Sequence, residues 1–558
     1  MRSKINASAR RALKGVFLAS APLIFACAAF ADIGPPSPPL RLKSDYFGYA
    51  ASVSPRVGYT DNIDLAPDGL KEGSFNFSTL FSGAAIYSTP RVTGIMNGDL
   101  DLSYLTEGSD FAVNQNVGAA ATATVADNLF YVDLAGSTSR QLLGENARFS
   151  QNINAARRQR ANVHTISASP YLFHEFADES SAQLRYRYSR AFIDDSRAGA
   201  NPFRSDFLND SQTQELVAVY DSGSAFDRLR FTGTAYGSKT VEDGSVIFPR
   251  LESRQKFVSG EMQFALSSHF ALSGAVGYDD IDTDVAVAFF DDDALSGFFW
   301  RAGFYATPGP RTTLRVEYGR RYDDDFVDAS LSYEISKRFT LRAGAGQSFE
   351  TRAQTYNARF FENERATLDF ADRLREGEAL SPEGVIAAAN RFDDLGIYAQ
   401  STGIGVGKRA YAQLQGAWER TELYASAYYD NVDYGFRETK MLTASVNAER
   451  RLSRRLSAYG GLFYRRSETT LDQAVCLTSP FLFGFDVNEP LFDPVDACLD
   501  YAFENGLTNT IGGRVGASYR LYENVSAFGE FAHTNRFADS ALLEYGENAG
   551  IIGVTLEF

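Results

Sequence analysis

The feature that most constrains the fold is an apolar and polar alternation that returns along the whole chain. Along residues 314–319, the apolar side chains of Leu314, Val316 and Tyr318 share one face. Arg315 and Glu317 occupy the opposite face, and a period of two residues is that of a β-strand. The same pattern is found in residues 99–104, 184–189 and 328–335. The sequence therefore predicts many strands, each with one apolar face and one face that carries full charges.

Two architectures use such strands, and the lengths of the connections distinguish them. A soluble sandwich turns the apolar face to a core, whereas an outer-membrane barrel turns it to lipid and turns the charges to a wet lumen. Short links here alternate with long polar stretches, which are residues 143–160, 192–212, 280–295, 351–408 and 467–503. Tight turns at one rim and long loops at the other are typical of an outer-membrane barrel. The predicted fold class is therefore all-β, a transmembrane antiparallel up-and-down β-barrel.

Segmenting the chain gives about 22 strands, within a range of roughly 18–26. After the N-terminal region no run of 18 consecutive apolar residues occurs, which argues against a helical membrane protein. The strands are predicted to begin near residues 47, 73, 92, 115, 129, 161, 181, 214, 228, 254, 270, 296, 311, 326, 339, 409, 421, 438, 455, 507, 525 and 547. An even number places both chain ends on the periplasmic side.

The N-terminus has the features of a secretory signal peptide. A basic stretch is followed by an apolar run over residues 16–30, and Ala29-Phe30-Ala31 has the small-x-small form of a cleavage site. Residues 1–31 are therefore predicted to be removed, with a mature start at Asp32. Lipid attachment at Cys27 is the alternative, against which the bulky Phe25 argues. Residues 32–46 are predicted to be a Pro-rich periplasmic lead-in, and residues 47–558 the barrel.

The C-terminus carries a second export-related pattern. Ile552, Val554, Leu556 and Phe558 share one face of the last predicted strand, and Phe558 is the final residue of the sequence. A terminal Phe on an alternating strand resembles the signal read by the barrel-assembly machinery of Gram-negative outer membranes. The expected location is thus the outer membrane. The expected partners are outer-membrane lipid and, during biogenesis, the assembly machinery.

The first predicted strand and loop carry a family resemblance. Residues 53–69 contain Ser-Pro, then Gly-Tyr-Thr-Asp-Asn, then Leu-Ala-Pro-Asp-Gly. This segment resembles the opening of outer-membrane β-barrel porins associated with exopolysaccharide systems in Gram-negative bacteria. The resemblance implies an outer-membrane barrel and carries over no catalytic residue. The rest of the chain matches that family in architecture rather than in motif.

Charge and motif content narrow the function classes. The chain has a net charge of −16, and loss of residues 1–31 would bring it near −21, so nucleic acid is not an expected partner. We find no Gly-x-Ser-x-Gly and no His-Glu-x-x-His motif, and the expectation is that the protein is not an enzyme and has no cofactor. The acids Asp280, Asp282 and Asp284 begin like a calcium loop, but Val285 stands where that loop requires Gly. We therefore predict no metal site.

Seven charged residues are predicted to line the pore because they alternate with apolar side chains. Two interpretations remain open for them: a water-filled pore with opposed basic and acidic walls, or a solvated interior tied together by ion pairs. The seven residues are Arg185, Arg187, Arg315, Glu317, Glu334, Arg342 and Arg514.

Two long loops carry further predictions. Cys476 and Cys498 are predicted to form a disulfide in loop 467–503, since export favours pairing and a bridge over a loop of this length stabilises by about 3 kcal/mol. The insert 351–408 interrupts the strand rhythm. It is predicted to be partly helical, because Ser381-Pro382 resembles a helix start, and to form a constriction.

Two functions follow from these patterns. The first is a porin-like barrel that gives passive passage to small hydrophilic solutes or assists polysaccharide export. The alternative is a closed structural or binding barrel that displays acidic extracellular loops. A TonB-dependent receptor also has 22 strands, but it needs a globular plug, and only about 15 residues separate the predicted cleavage site from the first strand.

Overall fold

A computed structural model describes eleven stretches of the chain. They are residues 41–44, 47–107, 110–142, 148–150, 160–194, 210–243, 250–283, 295–351, 405–433, 437–471 and 506–558. Signal-peptide residues 1–31, Cys476, Cys498 and nearly all of the insert 351–408 lie outside the described residues. The predictions made for them therefore stay predictions.

The described residues form 23 strands and a short 3-10 helix, Ala541–Leu543. The strands are β1 (Arg41–Ser44), β2 (Phe47–Thr60), β3 (Ser74–Ser88), β4 (Val92–Leu105), β5 (Asp110–Ala126), β6 (Phe130–Leu142), β7 (Arg160–Glu175), β8 (Ser181–Asp194), β9 (Ser211–Asp221), β10 (Leu229–Glu242), β11 (Leu251–Ser267) and β12 (Phe270–Thr283). They continue with β13 (Gly297–Gly309), β14 (Thr312–Arg321), β15 (Asp324–Ser336), β16 (Phe339–Glu350), β17 (Gly405–Ala417), β18 (Thr421–Asp433), β19 (Arg437–Arg451), β20 (Leu456–Leu471), β21 (Leu507–Tyr522), β22 (Val525–Ala538) and β23 (Tyr545–Glu557).

Strands β2 to β23 form a closed antiparallel barrel of 22 strands. Each strand pairs with the next one in sequence, and β2 pairs with β23 to close the sheet. The closing ladder includes Val57 opposite Ile552 and Gly58 opposite Ile551. The predicted fold class is confirmed, and every predicted strand start lies within five residues of an observed one. The small strand β1 folds back on the beginning of β2.

The outer surface of the barrel is apolar. Leu462 is 67% exposed, Val515 61% and Ile552 66%, and all three point away from the lumen on adjacent or nearby strands. Aromatic pairs stand at both rims of this surface, such as Trp300 with Tyr318 at one end and Phe339 with Trp418 at the other. A tall apolar wall bordered by aromatic rings is the surface that a bilayer covers.

The inner surface is polar and is made largely of small side chains. Ser54, Ser103 and Ser189 point inward and are almost fully buried. Glu334 and Arg342 also point inward but are exposed, near the short-turn end of β15 and β16. We call this end periplasmic and the opposite end extracellular, following the loop lengths. On these strands the lumen is thus more open at its periplasmic end.

Tight hydrogen-bonded turns hold the periplasmic rim. Between β7 and β8, the Ser180 hydroxyl donates to an Asp178 carboxylate oxygen at 2.6 Å, and the Ser180 amide donates to the same oxygen at 3.1 Å. These hydrogen bonds hold the pKa of the Asp178 carboxyl below its ordinary value. Glu179 takes a positive φ of 63°, which completes the reversal of the chain.

A charge placed on the outer wall should destabilise the barrel. We expect Val515→Arg to lower the free energy of unfolding by roughly 2–4 kcal/mol, because the guanidinium would enter the hydrocarbon region. Urea titration of the protein folded in lipid vesicles measures this loss. Tyr522→Arg, at the periplasmic end of β21 where the side chain is 73% exposed, is the matched control and should change stability little. Equal losses for the two variants would contradict the membrane orientation.

Candidate functional site

Five charged side chains form a cluster on the inner wall of β11, β13, β14 and β15, which we call the wall cluster. Arg301 lies 2.6 Å from Glu261, 2.9 Å from Glu317 and 3.4 Å from Asp328. Arg315 lies 2.6 Å from Glu317, 3.7 Å from Glu261 and 3.8 Å from Asp328. The strand alternation turns all five inward, and two guanidinium groups face three carboxylates.

The wall cluster is buried, which decides its energetics. Glu317 is 0% exposed and Asp328 is 5% exposed. Glu317 Oε1 and Asp328 Oδ1 have no hydrogen-bond partner within the part of the chain that the structure describes. Buried charges are tolerated only when they are paired, so the two arginines are required where they stand. Arg315 and Glu317, predicted to line the pore, therefore belong to a packed wall.

Arg185 and Arg187 are also paired with acids of neighbouring strands. The Arg185 guanidinium lies 2.7 Å from Asp133 and 3.9 Å from the centre of the Tyr171 ring. Arg187 lies 3.3 Å from Glu215. These pairs support the interpretation of an interior tied by ion pairs on this side of the barrel.

A group of three arginines lies on the inner wall of β20, β21 and β22, and we call it the basic wall. Arg465 and Arg536 are both paired in the ladder with Thr510, so they flank one residue of β21. Arg514 lies four residues further along β21, and all three side chains are buried. Arg514 is one of the residues predicted from the sequence to line the pore, whereas Arg465 and Arg536 were not predicted. Arg465 is followed by Arg466, which conceals the alternation, and Arg536 stands near a strand end.

A segment of the loop between β6 and β7 lies inside the barrel against strand β23. The Phe149 amide donates to the Tyr545 hydroxyl at 2.9 Å, and that hydroxyl donates to the Phe149 carbonyl at 2.5 Å. The Ser150 hydroxyl donates to Glu547, and the Phe149 ring meets the edge of Phe463 with 5.1 Å between ring centres. Phe149 and Ser150 are buried. We call residues 148–150 the lumen segment.

The motif in residues 53–69 that resembles the porin family also contacts Glu547 of β23. Thr60 ends β2 and donates to Glu547 Oε1 at 2.7 Å, across the strand pair that closes the barrel. Asn62 is 0% exposed, and its amide group donates to the carbonyls of Ala66 at 2.8 Å and Gly546 at 3.0 Å. It also accepts from the Ala66 amide at 2.7 Å. The motif therefore fastens the first loop to the last strand.

Two further residues of the motif, Asp61 and Leu65, also contact β23. We call residues 60–66 together with residues 545–548 the seam latch. Both carboxylate oxygens of Asp61 accept hydrogen bonds from Asn548 at 2.7 Å. Oδ1 accepts from the backbone amide of Asn548, and Oδ2 accepts from its side-chain amide. Leu65 adopts a positive φ of 51° and is 0% exposed against Tyr545. A non-glycine residue in this conformation costs energy, which the burial of its side chain offsets.

Loss of Asn62 should weaken the seam. Asn62→Ala removes three hydrogen bonds and leaves the part-buried Ala66 amide and Gly546 carbonyl without their Asn62 partner, which costs about 2–3 kcal/mol of unfolding free energy. Heat-modifiable gel mobility and urea unfolding report the loss. Asp68→Ala, in the same loop with its carboxylate 89% exposed, is the control and should leave stability unchanged. A stability of Asn62→Ala equal to that of the control would mean that the latch is dispensable.

The remaining predicted site residues lie as follows. Ile552, Leu556 and Phe558 are exposed on the outer wall, and Val554 shares their face. Their role as an assembly signal stays a prediction. The predicted constriction 351–408 begins one residue after β16 ends at Glu350, and its last four residues belong to β17. Among described residues, the loop segment found inside the barrel belongs instead to the β6–β7 connection.

Across the described stretches, no helix is both long and apolar enough to span a bilayer. Within the same stretches, no group of three or more His, Cys, Asp or Glu side chains has a metal-binding arrangement.

Comparison with known proteins gives neighbours in architecture alone. No family model matches the sequence, and no curated protein matches it. The siderophore receptor PirA from Acinetobacter baumannii is 8% identical with a TM-score of 0.47, covering 91% of this chain and 80% of that one. The ferric-catecholate import receptor Fiu from E. coli K12 is 9% identical with a TM-score of 0.47, covering 96% and 86%. The FrpB iron transporter from Neisseria meningitidis is 7% identical with a TM-score of 0.36, covering 91% and 82%.

At these identities and TM-scores, the similarity assigns neither a ligand nor a mechanism to the chain. The predicted membership of the exopolysaccharide-associated porin family stays a prediction. The structure itself establishes a closed antiparallel barrel of 22 strands with an apolar outer wall and a polar lumen.

Proposed function

We propose that the protein is an outer-membrane channel of the porin type, through which small hydrophilic solutes pass by diffusion. The observation that carries this proposal is the lumen segment, which is anchored inside a polar barrel by Tyr545 and Glu547. A loop held inside the barrel by a specific anchor occupies the lumen at a fixed place. A channel gains a constriction that sets the size of what passes.

The charge pattern of the lumen supports passage of polar solutes. The basic wall contributes three arginines on one side, and the wall cluster contributes three acids and two arginines on another. Eight strand positions separate Arg301 on β13 from Arg514 on β21, so the two groups face different parts of the lumen. The side chains of both groups are largely buried in the wall, but their fixed charges still set the electrostatic potential inside the barrel, and a potential of both signs orients dipolar and charged solutes as they pass. In this proposal the protein transports and does not catalyse, and it uses no cofactor.

A more specific version of this function is that the barrel assists polysaccharide export. It rests on the resemblance of residues 53–69 to the exopolysaccharide-associated barrels. The partners would then be outer-membrane lipid, the barrel-assembly machinery during biogenesis, and a polysaccharide or small solutes in the lumen. Nucleic acid is not a partner in this proposal, because a chain with a net charge of −16 repels it.

A second candidate function is a closed structural or binding barrel with acidic extracellular loops. The burial of inward side chains such as Ser54, Ser103 and Ser189 favours it, because an open pore would leave them wet. The two functions differ in one measurable property, which is permeability.

Liposome swelling separates the two functions. We expect purified protein in liposomes to admit small neutral sugars and to exclude larger oligosaccharides, with a rate that falls steeply as the sugar grows. Liposomes carrying heat-denatured protein provide the baseline. If even the smallest sugar gave a swelling rate no higher than this baseline, the channel would be rejected and the closed barrel favoured.

A further inference from the structure

A cavity of about 320 Å³ opens at the extracellular end of β12, β13 and β14. Its size falls at the lower end of the range of small-molecule sites. Phe298 and Trp300 border it on the outer side, where they are 67% and 39% exposed. Phe299, which is buried, and Arg321, whose side chain is 11% exposed, border it on the inner side. Ligand binding at this cavity does not depend on passage through the channel proposed above.

The inner side of the cavity is rigid because Arg321 is held from several directions. Its guanidinium makes two hydrogen bonds to the Asp279 carboxylate, at 2.7 and 2.8 Å. It also lies over three aromatic rings, at 4.7 Å from Phe299, 4.8 Å from Tyr322 and 5.6 Å from Phe257. A wall fixed in this way loses little conformational freedom when a ligand arrives.

The polar rim of the cavity is also fixed by the local backbone. Tyr322 and Asp323 are the two central residues of the β14–β15 turn, and both have positive φ, of 55° and 53°. Such a two-residue turn matches the twist of the strands that it joins. It holds Asp323 2.5 Å from Arg320, and both of these side chains are more than half exposed. Donor and acceptor groups therefore stand side by side at the entrance.

The chemistry of the lining identifies the class of ligand. Asp279 balances Arg321 and Asp323 balances Arg320, so the cavity offers no net charge to an isolated anion or cation. The exposed rings of Phe298 and Trp300 offer flat apolar surfaces against which C–H groups pack. Adjacent guanidinium and carboxylate groups bind hydroxyls, which both donate and accept hydrogen bonds. Alternating C–H faces and hydroxyls are the surface of a sugar.

We propose that this cavity is a saccharide-binding site at the extracellular rim of the barrel. Two sources present that chemistry: a free oligosaccharide, or the headgroup sugars of a glycolipid in the outer leaflet. Trp300 packs edge-on against Tyr318, with 6.1 Å between ring centres, within the aromatic border of the lipid-facing wall. The site therefore opens where headgroups and extracellular solutes both reach it.

Tryptophan fluorescence of the full-length protein in detergent tests the proposal, because the chain has only Trp300 and Trp418. The variant Trp418→Phe leaves Trp300 in the cavity as the single reporter. The matched control Trp300→Phe leaves Trp418, which lies at the periplasmic rim against Phe339. Both variants are first checked for heat-modifiable mobility, which shows that the barrel is folded. The probes are maltotriose, purified lipopolysaccharide and phosphatidylethanolamine, each titrated separately.

We expect a saturable change in Trp300 emission with maltotriose or with lipopolysaccharide, and none for Trp418. Saturation with maltotriose identifies a site for free oligosaccharide, and saturation with lipopolysaccharide alone identifies a headgroup site. Adding Arg320→Ala to the Trp418→Phe background should weaken the apparent affinity about tenfold. The proposal is overturned if neither sugar-bearing probe gives saturation, or if phosphatidylethanolamine or the Trp418 reporter gives the same change.

Discussion

Arg301→Ala is expected to lower the free energy of unfolding by about 3–5 kcal/mol, because it removes one partner from a buried ion cluster. Arg301 contacts all three acids of the wall cluster, Glu261, Glu317 and Asp328. Without it, Arg315 alone would face three carboxylates, of which Glu317 is fully buried. Equilibrium urea unfolding in lipid vesicles, followed by tryptophan fluorescence, measures the change.

A double variant shows whether charge balance is the cause. Arg301→Ala combined with Glu317→Gln removes one charge of each sign, so we expect it to be more stable than Arg301→Ala alone. Lys256→Ala is the control, because Lys256 pairs with Asp280 at 3.2 Å on the outer face and is 69% exposed. Exposed pairs contribute little to stability. A loss for Arg301→Ala no larger than that for Lys256→Ala would show that the wall cluster does not stabilise the barrel.

Release of the lumen segment is expected to raise single-channel conductance at least roughly twofold, because conductance follows the narrowest cross-section of a pore. Tyr545→Phe together with Glu547→Gln removes the hydroxyl that bonds Phe149 and replaces the charged acceptor of the Ser150 hydrogen bond with a weaker, neutral amide. Both substitutions keep the size of the side chain, which favours normal folding. Planar-bilayer recording of purified protein gives the conductance directly.

The control for this experiment makes the same two chemical changes at exposed positions. Tyr519→Phe together with Glu72→Gln alters a tyrosine of the outer wall and a glutamate of the first loop. We expect its conductance to equal that of the unaltered protein. If the Tyr545/Glu547 variant is folded by heat-modifiable mobility yet conducts like this control, the lumen segment is not the constriction.

The strand layout was predictable from the sequence because membrane and lumen impose opposite demands on alternate residues. The sharpest example is β21, where Ile511 and Val515 face lipid and Thr510 and Arg514 face inward. The largest error in a strand start is at β5, which begins at Asp110 rather than near 115. The polar run Asn114-Gln115-Asn116 conceals the alternation at that point.

The grouping of the inner charges was not predictable from the sequence. The alternation of apolar and polar residues showed that Arg185 and Arg315 point inward, but it did not show which acids they pair with. Arg185 pairs with Asp133, which is 52 residues earlier, and Arg315 meets Glu261 across two strands. These partners depend on the register between strands, which an alternation of period two leaves open. The inner or outer face of a residue is therefore a local property, whereas its ion pair is a property of the closed sheet.

The lumen segment was missed for a related physical reason. Phe149 and Ser150 lie in a polar loop and contact Tyr545 and Glu547, some 396 residues later in the chain. Nothing in a local pattern indicates a contact over that separation. The motif in the first loop was visible in the sequence, but its structural role was not. Thr60, Asp61 and Asn62 of this motif form hydrogen bonds with the last strand.

The position of these anchors has a consequence for the order of assembly. Tyr545 and Glu547 belong to the last strand, so the lumen segment lacks these hydrogen-bonded anchors until the final residues have joined the sheet. Contacts between distant parts of a chain form late, because closing so large a loop costs entropy before any contact repays it. A barrel still open at its seam therefore holds an unanchored loop and an unobstructed interior. Closure of the wall and anchoring of the lumen segment are in this way a single event.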